Sequence, residues 1–195
     1  MTRGARRPEP RDPARGTPHG VPRRAARAAT LAAALALALL SGCGGRAAPR
    51  GPQLTAATAD RVIAAVREPG AHAVLVNVWA TWCIPCREEF PDLVRVQREY
   101  RDRGLRLVLV SADFDETVPQ ARAFLAEHGV DFPSYHKEGD DMRFINTLDS
   151  LWSGALPATF LYDGTGRKVQ FWEGRQSYET LSRAVRDVLE RGRGS

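Results

Sequence analysis

Apolar residues fill positions 73–79 (AVLVNVW) except at Asn77, and positions 105–111 (LRLVLVS) apart from Arg106 and the closing Ser111. Short runs of this kind, rich in β-branched side chains, predict central strands buried on both faces. Between them, residues 86–103 read as a helix stopped by Gly104, with Pro91 as an internal kink. Residues 55–67 read as a short helix ended by Pro69-Gly70, residues 117–128 as another ending at Gly129, and residues 141–148 as a shorter one. Residues 158–162 and 168–172 flank Asp163-Gly164-Thr165-Gly166, a turn signal that predicts an antiparallel hairpin. A last helix is predicted over 178–190, where Leu181, Val185, Val188 and Leu189 share one face. Strand, helix, strand, helix, then hairpin and helix predicts an α/β fold: a central mixed sheet with flanking helices. Phe114, Tyr135 and Trp152, in the longer stretch 113–152, are expected in the core.

The N-terminal part has a different character. Residues 1–42 hold eight arginines against Glu9 and Asp12, so the remainder of the chain sums to −1 although the whole carries +5. The basic charge belongs to the leader, and a near-neutral remainder lacks the attraction for phosphates that nucleic-acid binding requires. Within the leader, an arginine cluster precedes an apolar stretch at 31–40 and then small residues, the three parts of an export signal. The apolar stretch is shorter than the roughly 20 residues of a bilayer span. Leu40-Ser41-Gly42-Cys43 resembles the lipobox of bacterial lipoproteins, which implies acylation of Cys43 and an anchor outside the cytoplasm. The expected organisation is therefore an extension and signal over 1–42, a Gly-, Pro- and Arg-rich tether over 43–53, and one folded domain over 54–195.

With Cys43 given to a lipid, Cys83 and Cys86 are the remaining thiols. A disulfide across two intervening residues closes too small a ring to act as a staple, so outside the cytoplasm the pair reads as chemistry. It falls between a buried strand and a helix. That places Cys83 at a helix N-terminus, where unpaired N–H groups and the helix dipole favour a thiolate. Cys86, one turn along, can attack a mixed disulfide formed on Cys83. Pro85 is tolerated in the first helical turn, where no N–H partner is needed. Half of a zinc site is the competing reading of Cys-x-x-Cys, but there is no second cysteine pair, and His72, His128 and His136 are scattered. No metal or other cofactor is expected.

The segment WATWCIPCREEFP (79–91) resembles the active-site segment of the TlpA/ResA-like thioredoxin-fold proteins, and GALPATF (154–160) resembles the segment holding that family's cis-proline. The resemblance runs from about Leu54 to Leu189. It implies a thioredoxin-like three-layer fold and a membrane-tethered thiol-disulfide oxidoreductase. It further implies that Trp82 contacts substrate, that Pro157 is cis and packs against the cysteine pair, and that the Leu156 backbone pairs with an extended client segment. Partners implied are exported client proteins with disulfides or thiols, such as apocytochrome c or copper-site assembly proteins, and a membrane electron donor. Where thioredoxins keep a buried Asp six residues before the first cysteine, this chain has Asn77, which cannot titrate. A glutamate three residues after the second cysteine sits near the pair in ResA-like proteins, and that position is Glu89. If buried, it could exchange a proton with Cys86.

Two other functions were open. A thiol peroxidase of peroxiredoxin type needs Pro-x-x-x-Thr-x-x-Cys, and no proline occupies the required position. A copper carrier of Sco type spaces its cysteines by three residues and adds a distal histidine, and this chain does neither, although soft thiolates can bind Cu(I).

Overall fold

The computed structural model describes residues 53–193. Its strands are β1 (Leu54–Ala57), β2 (Ala73–Trp79), β3 (Leu105–Ser111), β4 (Ser134–Lys137), β5 (Ala158–Asp163) and β6 (Lys168–Glu173). Its α-helices are α1 (Ala59–Val66), α2 (Ile84–Tyr100), α3 (Val118–Glu127), α4 (Asp141–Leu148) and α5 (Tyr178–Arg193). The strands form one sheet in the order β1-β4-β3-β2-β5-β6. The pairs from β1 to β2 are parallel, and β5 and β6 are antiparallel to their neighbours. The expected three-layer α/β architecture with a mixed sheet is what forms, and it is the thioredoxin fold.

Alternation along the strands divides the core between the two faces of the sheet. Leu75, Trp79, Leu107, Leu109 and Leu161 pack with Phe90 and Leu93 of α2, Leu125 of α3 and Leu181 and Val185 of α5. Val74, Val76, Val78, Val108, Val110 and Phe160 pack on the other face with Val62 of α1 and Phe144 and Leu148 of α4. All seven residues of β2 are buried, as the unbroken apolar run predicts for a strand covered on both sides. Asn77 belongs to the same face as Leu75 and Trp79, so the one polar residue of β2 points toward α2.

Several predicted boundaries move. The helix expected over 55–67 begins only at Ala59, because residues 54–57 form edge strand β1; Thr58 ends the strand and caps α1, accepting the Arg61 N–H. The helix expected from Cys86 starts at Ile84 and ends at Tyr100, with a 3₁₀ turn over Arg101–Arg103. Another 3₁₀ turn, Asp115–Thr117, precedes α3. Strand β4 had no counterpart in the sequence reading. The C-terminal end of α1 is closed by Arg106 of β3, whose guanidinium donates to the carbonyls of Ala65, Glu68 and Pro69. Gly104, with φ near 99°, turns the chain into β3 under the ring of His72, where a Cβ would lie 2.3 Å from a ring carbon. Among the described residues no helix is long and apolar enough to cross a membrane.

Candidate redox site at the β2–α2 turn

Strand β2 ends at Trp79 and α2 starts at Ile84, so Ala80 to Cys83 make the turn. Cys83 is the N-cap residue: its backbone is extended and its Sγ accepts the Cys86 N–H at 3.3 Å. The sulfur thus occupies the place usually taken by a Ser or Asp oxygen, facing the unpaired amides of the first turn. Cys83 and Cys86 are joined as a disulfide with Cα atoms 5.3 Å apart. Cys83 is 6% exposed and Cys86 1%, so an incoming sulfur meets Cys83 first.

The turn is held by Asp113, a buried carboxylate just beyond β3. It accepts the Thr81 N–H at 3.1 Å, the Thr81 hydroxyl, and the Ser111 hydroxyl at 2.7 Å. Four donor–acceptor contacts from one carboxylate, counting the second Thr81 N–H contact at 3.2 Å, fix the loop that presents Trp82 and Cys83.

Glu89 lies one helical turn beyond Cys86 and is wholly buried. Its Oε1 accepts from the Thr159 hydroxyl at 3.4 Å, and that hydroxyl accepts from Asn77 Nδ2 at 2.9 Å. Glu89 Oε2 and Asn77 Oδ1 have no hydrogen-bond partner among the described residues. Burial raises the carboxyl from its ordinary 4.5 to about 7, a rise opposed by the Gln176 main chain, the Thr159 hydroxyl and the Arg175 charge and reinforced by Asp92. Glu88, on the solvent side, is half-exposed and pairs with Arg175 at 2.6 Å. Two adjacent glutamates thus differ sharply: Glu88 is a surface ion-pair member, and Glu89 is a buried carboxyl that titrates near neutrality.

The Leu156–Pro157 peptide bond is cis. Ala158 pairs with Val78 in the antiparallel β2–β5 register, which brings Pro157 level with the end of β2, where the cysteine turn begins. Trp82 is 54% exposed and stacks on Phe114, 66% exposed, with ring centroids 6.3 Å apart. Phe114 was expected in the core; it lies instead exposed on the loop after β3, its ring against Trp82. Trp152 is buried as expected, and Tyr135 is half-buried on the short strand β4, between β1 and β3. Among the described residues no group of three or more His, Cys, Asp or Glu side chains is placed to hold a metal ion.

Residues 48–170 match the AhpC/TSA family, more than half of the chain. The chain belongs to the AhpC/TSA family. Within this AhpC/TSA family chain, a 115-residue stretch is 28% identical to the thiol-disulfide oxidoreductase ResA of Oceanobacillus iheyensis, covering 59% of this chain and 56% of that protein. It is 34% identical over 116 residues to the thiol:disulfide interchange protein HelX of Rhodobacter capsulatus, covering 59% and 60%. The chain therefore spans less than two thirds of the length of these relatives. A crystal structure of a thioredoxin-family thiol:disulfide interchange protein from Chlorobium tepidum superimposes with a TM-score of 0.54 at 27% identity, covering 65% of this chain and 83% of that one.

Of the positions singled out in this AhpC/TSA family sequence, Trp82, Cys83, Cys86 and Glu89 are gathered by the β2–α2 unit, and Leu156 and Pro157 arrive beside them through β5. Cys43 lies outside the described residues. Sequence reasoning missed three residues of the site. Phe114 was misplaced in the core, Asp113 carried no signal beyond being an acid after an apolar strand, and Thr159, two residues after Pro157, gained its meaning only from its cross-strand partner Asn77.

Proposed function

We propose that this protein is an extracytoplasmic thiol-disulfide oxidoreductase, tethered to a membrane through Cys43, that reduces disulfides of exported client proteins. The observation that carries the reading is a disulfide at a helix N-terminus with a buried carboxyl of near-neutral pKa one turn behind it. The names of the relatives, a thiol-disulfide oxidoreductase and a thiol:disulfide interchange protein, support the same chemistry.

In this reading the protein starts as the dithiol, charged by a membrane donor. The Cys83 thiolate attacks one sulfur of a client disulfide, forming a mixed disulfide and releasing the other client sulfur as a thiolate. Glu89, as carboxylate, takes the proton of the Cys86 thiol. The Cys86 thiolate then attacks Cys83 Sγ, the Cys83–Cys86 disulfide forms, and the second client sulfur leaves and is reprotonated. Two electrons pass from the cysteine pair to the client. Trp82 and the Leu156 and Pro157 backbone would hold the client segment beside Cys83, and Phe114, stacked on Trp82, would extend that wall.

The test is the reduction potential of the Cys83–Cys86 pair, measured by equilibrating the purified protein against defined thiol buffers. A reductase is expected to lie near thioredoxin's value of about −270 mV. A value near −120 mV would mark an oxidant of exported thiols, and the lack of a reversible two-electron couple would overturn the oxidoreductase reading. The tether is tested separately. Cys43→Ser should move the protein from the membrane to the soluble fraction while leaving disulfide reduction in vitro unchanged, and a variant that stays membrane-bound would remove the lipid anchor from the proposal.

A further inference from the structure

The polar groups behind the disulfide form an ordered row. A hydroxyl has two acceptor sites but a single hydrogen. Asn77 Nδ2 donates to Thr159 Oγ1 at 2.9 Å, so the Thr159 hydrogen is directed elsewhere, and the acceptor within reach is Glu89 Oε1 at 3.4 Å. Asn77 and Thr159 are direct partners across the antiparallel β2–β5 pair, on the sheet face that α2 covers. The row is therefore mounted on two central strands and one helix, with all three side chains at 1% exposure or less.

We infer that Thr159 assigns the two oxygens of Glu89 to different tasks, holding Oε1 with its hydroxyl hydrogen and leaving Oε2 to carry the proton that Cys86 gives up. Oε2 is the oxygen that no donor reaches in hydrogen-bonding geometry, the Gln176 main chain acting on the carboxyl from outside that geometry. An oxygen that already accepts a hydrogen bond is the poorer site for an added proton, and the bare one is the better. Thr159 is a positioning residue: it touches neither sulfur and acts through Glu89. The inference rests on the oxidoreductase reading for the source of the proton, whereas the hydrogen-bond order stands on geometry. The charged groups that also act on Glu89 are Arg175, from the segment after β6, and Asp92 of α2, with Arg175 held by Glu88.

The opposite arrangement gives the opposite sign. If the Thr159 hydroxyl turned to Asn77 Oδ1, it could only accept from a protonated Glu89, and removing it would make Glu89 a stronger acid. In the donor arrangement, removing it makes Glu89 a weaker acid, because the ionised form loses a hydrogen bond.

The experiment is a carboxyl titration by carbon NMR of the full chain in its disulfide form, so that no thiol titrates alongside, with glutamates labelled and Glu89 assigned by its loss in Glu89→Gln. Thr159→Val keeps the shape and removes the hydroxyl; Thr159→Ser keeps the hydroxyl. In Thr159→Val the Glu89 midpoint should rise by roughly one pH unit, the scale of one hydrogen bond to a charged group, and Thr159→Ser should restore it. With a glutathione mixed disulfide preformed on Cys83 of the reduced protein, its resolution at pH 7 should slow about fivefold in Thr159→Val, because less Glu89 is ionised there. An unchanged or lowered midpoint in Thr159→Val would overturn the inference. Thr159→Ala serves as the second hydroxyl-free variant if the valine does not fold. Failure of the wild-type dithiol to reduce any disulfide would overturn the oxidoreductase reading and leave the titration result standing.

Discussion

Replacing Cys86 with serine should leave the protein covalently attached to its clients. Of the two sulfurs, Cys83 is the more exposed and sits where α2 presents its unpaired amides, so it should take the first step. The second step needs a thiolate within reach of Cys83 Sγ on the side away from solvent, and Cys86 is the remaining thiol of the described residues that can supply it. Without it the mixed disulfide waits for an external thiol. Turnover with protein disulfides should fall to background, and adducts that dissolve on adding reductant should accumulate on non-reducing gels. Cys83→Ser should give neither turnover nor adducts. If Cys86→Ser captured nothing while its Cys83 remained open to alkylation, the division of labour between the two cysteines would be wrong.

The pH dependence of stability should change as strongly when Glu89 becomes glutamine. Below about pH 4.5 the carboxyl is protonated in both the folded and unfolded chains and contributes no slope. As pH rises from there, the unfolded chain releases its proton first, because burial holds the folded carboxyl near 7. The folded state then loses stability at about 1.4 kcal/mol per pH unit until it ionises too, and the loss levels off above pH 7 at roughly 3 kcal/mol. Glu89→Gln removes that slope. Urea unfolding at pH 4 and pH 8 should therefore show the variant gaining about 3 kcal/mol on the wild type between the two conditions, all other titrations cancelling in the difference. A flat difference would mean that the Glu89 carboxylate is solvated. The same variant cannot accept a proton from Cys86, and its resolution step at pH 7 should slow by about a hundredfold or more.

What the sequence disclosed, and what it hid, follows from how far each feature reaches along the chain. β2, β3 and α4 were legible to the residue, since long apolar runs and a periodic helix carry their own signal. The cysteine pair and the cis proline were legible from local motifs. β1 and β4, four residues each, offer too few positions for an alternation to show, and Leu-Thr-Ala-Ala at 54–57 suits a helix as well as a strand. The family resemblance put Glu89 near the cysteine pair, but its complete burial depends on segments more than 60 residues away, at Thr159 and Gln176. Asn77 was noticed for what it lacks, a titratable proton; its positive contribution, donating to Thr159, exists only through a cross-strand register. Phe114 failed because aromatic character predicts burial on average, and nothing local says that a loop tip will stand clear of the core.

The strand order also decides where a mechanical load would act. The chain enters the described fold through β1, which lies at one edge of the sheet and holds to β4 by four register pairs, with the Leu54 carbonyl taken by Arg122 of α3. The redox turn hangs from β2, separated from β1 by β4 and β3 and gripped on its other side by β5. Tension applied from the N-terminal side would strain the short edge pairing first, and the sheet could fray there while β2, β5 and the cysteine turn kept their positions.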